Sequence, residues 1–390
     1  MSGGRIEPAD LRHLERCLEL AAEGRWRAAP NPQVGAVLVR DGQVIGEGYH
    51  QRAGGPHAEI HALKAVTDAG ASARGATLYV NLEPCDHEGR TPPCAQAVID
   101  AGVERVVCGH RDPNPVAEGG AGRLRRAGVT VDFLDAANTA EETLLRRALA
   151  QNARFLVPIV RRRPMVTLKW AMTLDGKIAT RTGESQWISS PEGREWALEQ
   201  REKHDAILVG SGTALEDDPR LTRRLGHAEG HIVRVVMDRR LRLSAQSALF
   251  TEPGPVLIYT QTQGASASSG RIDAIRQAGG IVVELERCEP EAVLADLGTR
   301  GVSSVLIEGG GVILGSFLDA GMVDRVGVCC APKLFGGAEA AGPIAGLGID
   351  RIEDALLLGE QSVERRGCDV IVEGTEERCL RDLLSSVARS

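Results

Sequence analysis

The sequence predicts two layered α/β domains in series, and three observations carry that expectation. Strand-like and helix-like segments alternate through residues 35 to 135. A second alternation of the same kind begins at PMVTLKWAM and continues to CDVIVEG. Between them the basic run Arg161, Arg162, Arg163 is closed by Pro164 and marks a boundary. Alternating strand and helix patterns argue for sheets covered by helices, and 390 residues exceed what one hydrophobic core ordinarily serves. The expected division is a first domain over 1–150, a linker over 151–163 and a second domain over 164–390.

The elements follow in order. Leu11, Leu14, Leu18 and Ala21 recur at helical spacing, with Asp10 as the expected cap. In VGAVLVRDGQVIGEGY two apolar runs meet at Asp41-Gly42, a pair suited to a tight hairpin turn. AEIHALKAV reads as a helix, ATLYVNL as a strand, AQAVIDAG as a helix, VERVVCG as a strand, AGRLRRAG as a helix and VTVDFL as a strand. NTAEETLLRRALAQNARFLVP is helical and leads to the boundary, where the arginine run reads as a solvated linker rather than a phosphate patch. Beyond it, strands are expected at PMVTLKWAM, HDAILVG, IVRVVMD, GPVLIYT, GIVVEL, SSVLIEGG and CDVIVEG, with TEPGP and QTQGASASSGR as turn-rich insertions.

Composition narrows the function classes. Aromatic residues make up 3% of the chain, too few for an array of stacking platforms on single-stranded nucleic acid. A formal charge of -7 argues against a broad basic surface for nucleic acid. No apolar run reaches membrane-spanning length, and the N-terminus carries no apolar leader. Nine cysteines, an odd number without framework spacing, suit a reducing, cytoplasmic compartment. A small-molecule substrate is the expected partner, and a homodimer built through the second domain is the base expectation for assembly.

One constellation carries chemistry. PHAEIHAL places His57 and Glu59 at the start of a helix, and NLEPCDHEGRTPPCAQAV supplies Cys85 at a strand end and Cys94 at a helix start. A helix N-terminus favours the thiolate that binds metal. One imidazole and two thiolates suit zinc, and three protein ligands leave a fourth position for water. Glu59 is then free to take a proton from water and deliver it to a leaving amine. Alone, His57 reads as a structural histidine and each cysteine as a small buried hydrophobe. Together, HxE followed by EPC and PPC is the general signature of zinc deaminases acting on nitrogen heterocycles. A closed structural zinc site would need His87 as fourth ligand and would leave the HxE spacing without purpose; a pocket-rim position contacting substrate suits His87 better.

The chain resembles the bifunctional deaminase-reductase family of riboflavin biosynthesis over nearly its full length. In the first domain the resemblance rests on NPQVGAV, EGYHQRAGGPHAEIHAL, LEPCDHEGRTPPC and GHRDPNP. The GRTPP filling before Cys94 separates it from nucleoside, tRNA and cytosine deaminases. The resemblance implies a cytidine-deaminase-like α/β/α sandwich that deaminates 2,5-diamino-6-(5-phosphoribosylamino)pyrimidin-4(3H)-one, with Asn31 contacting the substrate. Ala29 stands where members often have histidine, and Asp86 where they often have serine or asparagine; neither removes a proposed ligand.

The second half lacks a GxGxxG fingerprint on its first strand. Its informative segment is VLIEGGGVILGSFLDAG, where glycines allow close backbone approach and exposed amides suit a phosphate. LKWAMTLDGKIAT, GESQWISSPEGR, REKHDAILVGSGTALEDDPRLTRR and the EGGG turn resemble the family's reductase domain. That implies a dihydrofolate-reductase-like α/β fold using NADPH to reduce the ribosyl group of 5-amino-6-(5-phosphoribosylamino)uracil. By the same resemblance Ala171, Trp187, Thr213, Asp217, Gly310, Gly311, Val312, Ile313, Leu314, Gly315 and Ser316 line the cofactor. Ser185, Arg201, Leu221, Arg224 and Glu308 contact the substrate, the arginines suiting its phosphate. Lys169, Asp175 and Glu308 are the candidate proton donors, and the alternative is that hydride transfer depends mainly on cofactor placement and an ordered water, so none is named as the acid. The competing readings are a deaminase of another base or of tRNA fused to an inactive reductase-like domain, and a zinc-stabilised scaffold, in which Glu59→Gln would change no activity.

Overall fold

A computed structural model describes residues 6–87, 93–117, 119–262 and 269–389. Contacts divide the chain into two compact units, one formed by Met1–Arg161 with Arg378–Ser390, the other by Arg162–Glu377.

The first unit opens with α1 (Pro8–Glu23), whose N-cap is Glu7 rather than Asp10. Asp10 is buried one turn inside, where it accepts the Glu7 amide at 2.9 Å. It also receives the Tyr79 hydroxyl at 2.7 Å and two nitrogens of Arg105 at 3.0 Å each. It therefore fastens the helix to the sheet instead of capping it towards solvent. β1 (Gly35–Arg40) and β2 (Gln43–Tyr49) make the expected hairpin, with Asp41 and Gly42 at φ 51° and 74°, as a two-residue turn of two positive-φ residues requires. Then come α2 (Ala58–Asp68), β3 (Thr77–Leu82), α3 (Cys94–Asp100), β4 (Arg105–His110), α4 (Gly120–Arg126), β5 (Thr130–Phe133), α5 (Thr139–Gln151) and α6 (Ala153–Arg161). Strand order is β2-β1-β3-β4-β5, with β1 antiparallel to both neighbours and β3, β4 and β5 parallel. α1 and α5 pack together on one face, and α2, α3 and α4 follow one another on the other, which makes an α/β/α sandwich. Close approach positions α2: a Cβ on Gly48 would stand 2.5 Å from the Ala62 nitrogen, so only glycine lets this helix press so tightly on β2.

The second unit comprises β6 (Met165–Thr173), α7 (Pro191–Glu202), β7 (Ala206–Gly210), α8 (Ser211–Glu216), β8 (Val233–Met237), β9 (Val256–Gln261), α9 (Ser269–Gln277), β10 (Ile281–Leu285), α10 (Pro290–Thr299), β11 (Ser304–Glu308), α11 (Gly311–Asp319), β12 (Arg325–Ala331), β13 (Leu358–Arg366) and β14 (Asp369–Glu376). These strands form a nine-stranded sheet ordered β10-β9-β8-β7-β11-β6-β12-β14-β13. It is parallel from β10 to β12, and β14 runs antiparallel to both of its neighbours. Ala206 and Leu208 enter one core cluster while Ile207 and Val209 enter another. Both faces are covered, which is why these strands read as unbroken apolar runs.

Three expectations require correction. Residues 153–161 of the expected linker are helix α6 and belong to the first unit. Arg163 is not solvated, because its two end nitrogens meet the fully buried Asp324 at 2.6 and 2.9 Å. The second domain does not extend to residue 390: α12 (Glu377–Arg389) buries Cys379, Leu380, Leu383 and Val387 at helical spacing, and from Arg378 onward it belongs to the first unit. Its Asp382 accepts Arg161 Nε and Nη2 at 3.0 and 2.8 Å, tying it to α6. Among the described residues no helix is long and apolar enough to cross a membrane.

Candidate functional site

His57 is the N-cap of α2 and Cys94 the first residue of α3; Cys85 lies in the turn after β3, three residues beyond the strand end. These three side chains form the group of potential metal donors among the described residues, with their ligand atoms all within 4.8 Å of one another. His57 Nδ1 stands 3.2 Å from Cys94 Sγ and 3.5 Å from Cys85 Sγ. Hydrogen bonds from Cys94 and His57 hold the Cys85 thiol down to about 4, against burial. The Cys85 sulfur beside it and burial push Cys94 up. An imidazole aimed at two buried sulfurs is the chemistry of a zinc donor set.

Glu59 is 3% exposed on the first turn of α2, and its Oε2 has no hydrogen-bond partner. Burial pushes its carboxyl up to about 7, in the range where a proton is given and taken near neutrality. It lines a cavity of about 200 Å³ with Asn31, His50, His57, Cys85 and His87. Asn31 Nδ2 donates to His50 Nε2 at 3.1 Å while His50 Nδ1 faces the Pro56 carbonyl at 3.0 Å. A carbonyl only accepts, so His50 carries its proton on Nδ1. His87 stands outside the metal group, and its buried Nδ1 lacks a partner. Asp86, one of the two departures noted, is engaged by Arg123 Nη1 at 2.6 Å. Residues 89–92 of the GRTPP segment lie outside the described residues.

The cavity also holds His50, Glu83, Asp112 and Asn114, which sequence reasoning did not assign. A signal was available: ligands of parallel sheets gather beyond the carboxyl ends of the strands, and GHRDPNP closes β4 and runs on past its end. Asp112 is 4% exposed, and burial pushes its carboxyl up to about 6.

In the second unit two groupings form. Thr213, on α8, accepts the Gly310 amide at 3.2 Å. Gly309 has φ 147°, and a Cβ there would meet Ile313 and Thr213 at 3.1 and 3.2 Å, so the turn into α11 needs glycine. The other grouping joins Arg201 Nη2 to Glu308 at 2.8 Å, with Lys169 at 3.6 Å on the adjacent strand. Ala171 lies on β6, Asp217 ends α8, and Ser185 and Trp187 are exposed between β6 and α7. The Arg194 guanidinium lies 4.7 Å from the Trp187 ring centre. Arg224 is exposed.

Other expected residues are not available as side chains. Ile313 and Leu314 pack in the core with Phe317, Gly315 abuts the Ala345 carbonyl, and Ser316 Oγ is turned to the Ile313 carbonyl at 2.8 Å. At the helix start Val312 is exposed, while Gly311 abuts the backbone of residues 342–345. Leu221 is 2% exposed in the core beside Ile207, so any contact it makes with a ligand is through its backbone. Asp175 accepts the Phe335 and Gly336 amides and the Thr173 hydroxyl, which hold it at about 2. These bonds tie Asp175 to the loop that carries Phe335 and Gly336.

Residues 164–372 match the model of the RibD C-terminal domain, and residues 8–110 that of the cytidine and deoxycytidylate deaminase zinc-binding region. The chain is 40% identical to the riboflavin biosynthesis protein RibD of Aquifex aeolicus over 370 residues, which cover 94% of this chain and 98% of the relative. It is 38% identical to the protein of that name from Escherichia coli over 377 residues, 93% and 98% of the two chains. The crystal structure of a diaminohydroxyphosphoribosylaminopyrimidine deaminase/5-amino-6-(5-phosphoribosylamino)uracil reductase from Thermotoga maritima superposes with a TM-score of 0.77 at 36% identity, covering 94% of this chain and 99% of that one. Acinetobacter baumannii RibD gives 0.77 at 31% identity, with the same coverage.

Proposed function

The chain belongs to the RibD family, the bifunctional deaminase-reductases of riboflavin biosynthesis, and from that premise we propose which residues perform its two reactions. It is an enzyme with hydrolase and oxidoreductase activities. It deaminates 2,5-diamino-6-(5-phosphoribosylamino)pyrimidin-4(3H)-one and reduces the ribosyl group of 5-amino-6-(5-phosphoribosylamino)uracil to ribityl.

The observation that carries the first assignment is the convergence of His57, Cys85 and Cys94 beside the unpartnered Glu59 Oε2. Zinc held by His57 Nδ1 and the two sulfurs supplies Lewis acidity near neutral pH. Glu59 Oε2 takes a proton from the attacking water and returns it to the departing amine. Asn31, its amide oriented by His50, and His87, through its free Nδ1, hold the substrate in the cavity.

For the second reaction NADPH supplies the reducing equivalents. Ala171, Trp187, Thr213 and Asp217 would border it, and the amides of Gly311 and Val312 at the start of α11 would receive its phosphates. Arg201 and Glu308 form one ion-paired surface for the sugar, Leu221 adds a backbone contact, and Ser185 and the exposed Arg224 take the substrate's polar groups and phosphate. Glu308 is held at about 2, so neither it nor Asp175 serves as the acid; Lys169 remains as candidate. We further propose a homodimer through the second unit, on the ground that two-fold dimers are the commonest closed assemblies. The compartment is the cytoplasm, where the donor thiols stay reduced. The test supplies the diamino-pyrimidine, follows ammonia, then adds NADPH. Oxidation of NADPH only after deamination supports the two-step assignment, and ammonia release with no later oxidation sinks the second half.

A further inference from the structure

Glu83 stands two residues before Cys85 and is 7% exposed. Both of its carboxylate oxygens are spent on one neighbouring segment. Oε1 accepts the Ala121 amide at 2.8 Å and Oε2 the Asp112 amide at 3.3 Å. These amides mark the two ends of the segment that follows β4, and Asp112, Asn114, Val116 and Ala117 of that segment wall the cavity.

Two more contacts press the wall onto the metal-ligand turn. The Asp86 amide donates to the Ala117 carbonyl at 3.3 Å. Gly120 lies so close to the Pro84 carbonyl that a Cβ would overlap it. Arg123 then joins Asp86 at 2.6 Å and Gln96 at 2.5 Å, so α4 is linked to both stretches that carry the sulfur ligands.

We propose that Glu83 is a positioning residue for deamination, fixing the cavity wall relative to the metal-ligand turn and so the surface against which the pyrimidine binds. This rests on reading the cavity as the deaminase site. A carboxylate offers two acceptor oxygens, and here each receives one backbone amide. Glutamine in its place turns an NH₂ group towards one amide, releasing one end of the wall while keeping side-chain volume. A substrate that binds against a loosened wall loses contacts common to its ground and transition states, which raises KM and spares kcat.

The experiment compares the full-length wild type with Glu83→Gln. Zinc per chain, steady-state deamination, hydrogen exchange over residues 111–121 and reduction of preformed uracil substrate are measured on the same samples. Expected are unchanged zinc and reductase rates, faster exchange in the segment, and KM for the diamino-pyrimidine raised about tenfold with kcat within about threefold. Retained zinc with wild-type KM overturns the proposal, as does a raised KM with unchanged exchange. Should Glu83→Gln fail to hold zinc, Glu83→Asp, one methylene too short to span both amides, decides by the same criteria. Loss of zinc in both variants makes Glu83 a folding residue only and overturns the positioning role. A wild type that releases no ammonia sinks the deaminase reading itself; an active wild type with unaltered variant kinetics sinks this inference alone.

Discussion

Glu308→Gln removes a charge from the second unit at nearly constant shape. Burial would lift the Glu308 carboxyl, but Arg201 and Lys169 outweigh it and hold it at about 2 against an ordinary 4.5. At about 1.36 kcal/mol per pKa unit, that depression is worth roughly 3 kcal/mol of folding stability at pH 7. Breaking a buried pair by deleting one partner costs a similar 3–5 kcal/mol or so. Because the folded carboxyl is the more acidic one, its contribution is complete above about pH 4.5 and is lost as pH falls through about 2. The gap between wild type and variant is therefore largest at neutral pH and shrinks on acidification. Denaturant titrations at pH 7 and pH 3, read by tryptophan fluorescence, measure it, since Trp196 in this unit is fully buried. Ammonia release by the first unit is the internal control and stays at wild-type rate. A loss below about 1 kcal/mol at pH 7, or one that persists undiminished in acid, refutes the ion-pair reasoning.

Glu59→Gln keeps its zinc, because Glu59 is outside the donor group, and slows ammonia release by about 10²- to 10⁴-fold; metal analysis beside an ammonia assay checks both halves. Cys94→Ser loses the metal and lowers the melting temperature of the first unit, while NADPH oxidation with preformed uracil substrate continues; an undiminished metal content would remove Cys94 from the donor set.

Elements with a local chemical cause were legible in the sequence. The Asp41-Gly42 turn, the helix starts at His57 and Cys94, and the seven strands expected in the second half all carry their reasons in neighbouring residues. What escaped was decided at a distance. β13 is an edge strand with most of its side chains in solvent, so LGEQSVERR shows no alternation. β12 breaks its apolar run with glycine and two cysteines. Asp10 looks like a cap until Arg105, ninety-five positions away, is seen against it. In the metal centre spacing sufficed, since the donors were named by type and motif. In the second unit, resemblance assigned Leu314 and Leu221 to ligands although their side chains complete the core. Motif position locates a backbone, while burial decides which atoms it offers.

The return of α12 to the first unit means that residues 162–377 are an insertion within another fold. During synthesis, the deaminase half waits for its last apolar stripe until the whole reductase half has been translated. Frameshifts or stops late in the reading frame therefore injure the earlier chemical step, although every residue proposed to hold its metal lies before position 100. A dissection of the gene that respects the fold would excise the middle and rejoin the two flanks.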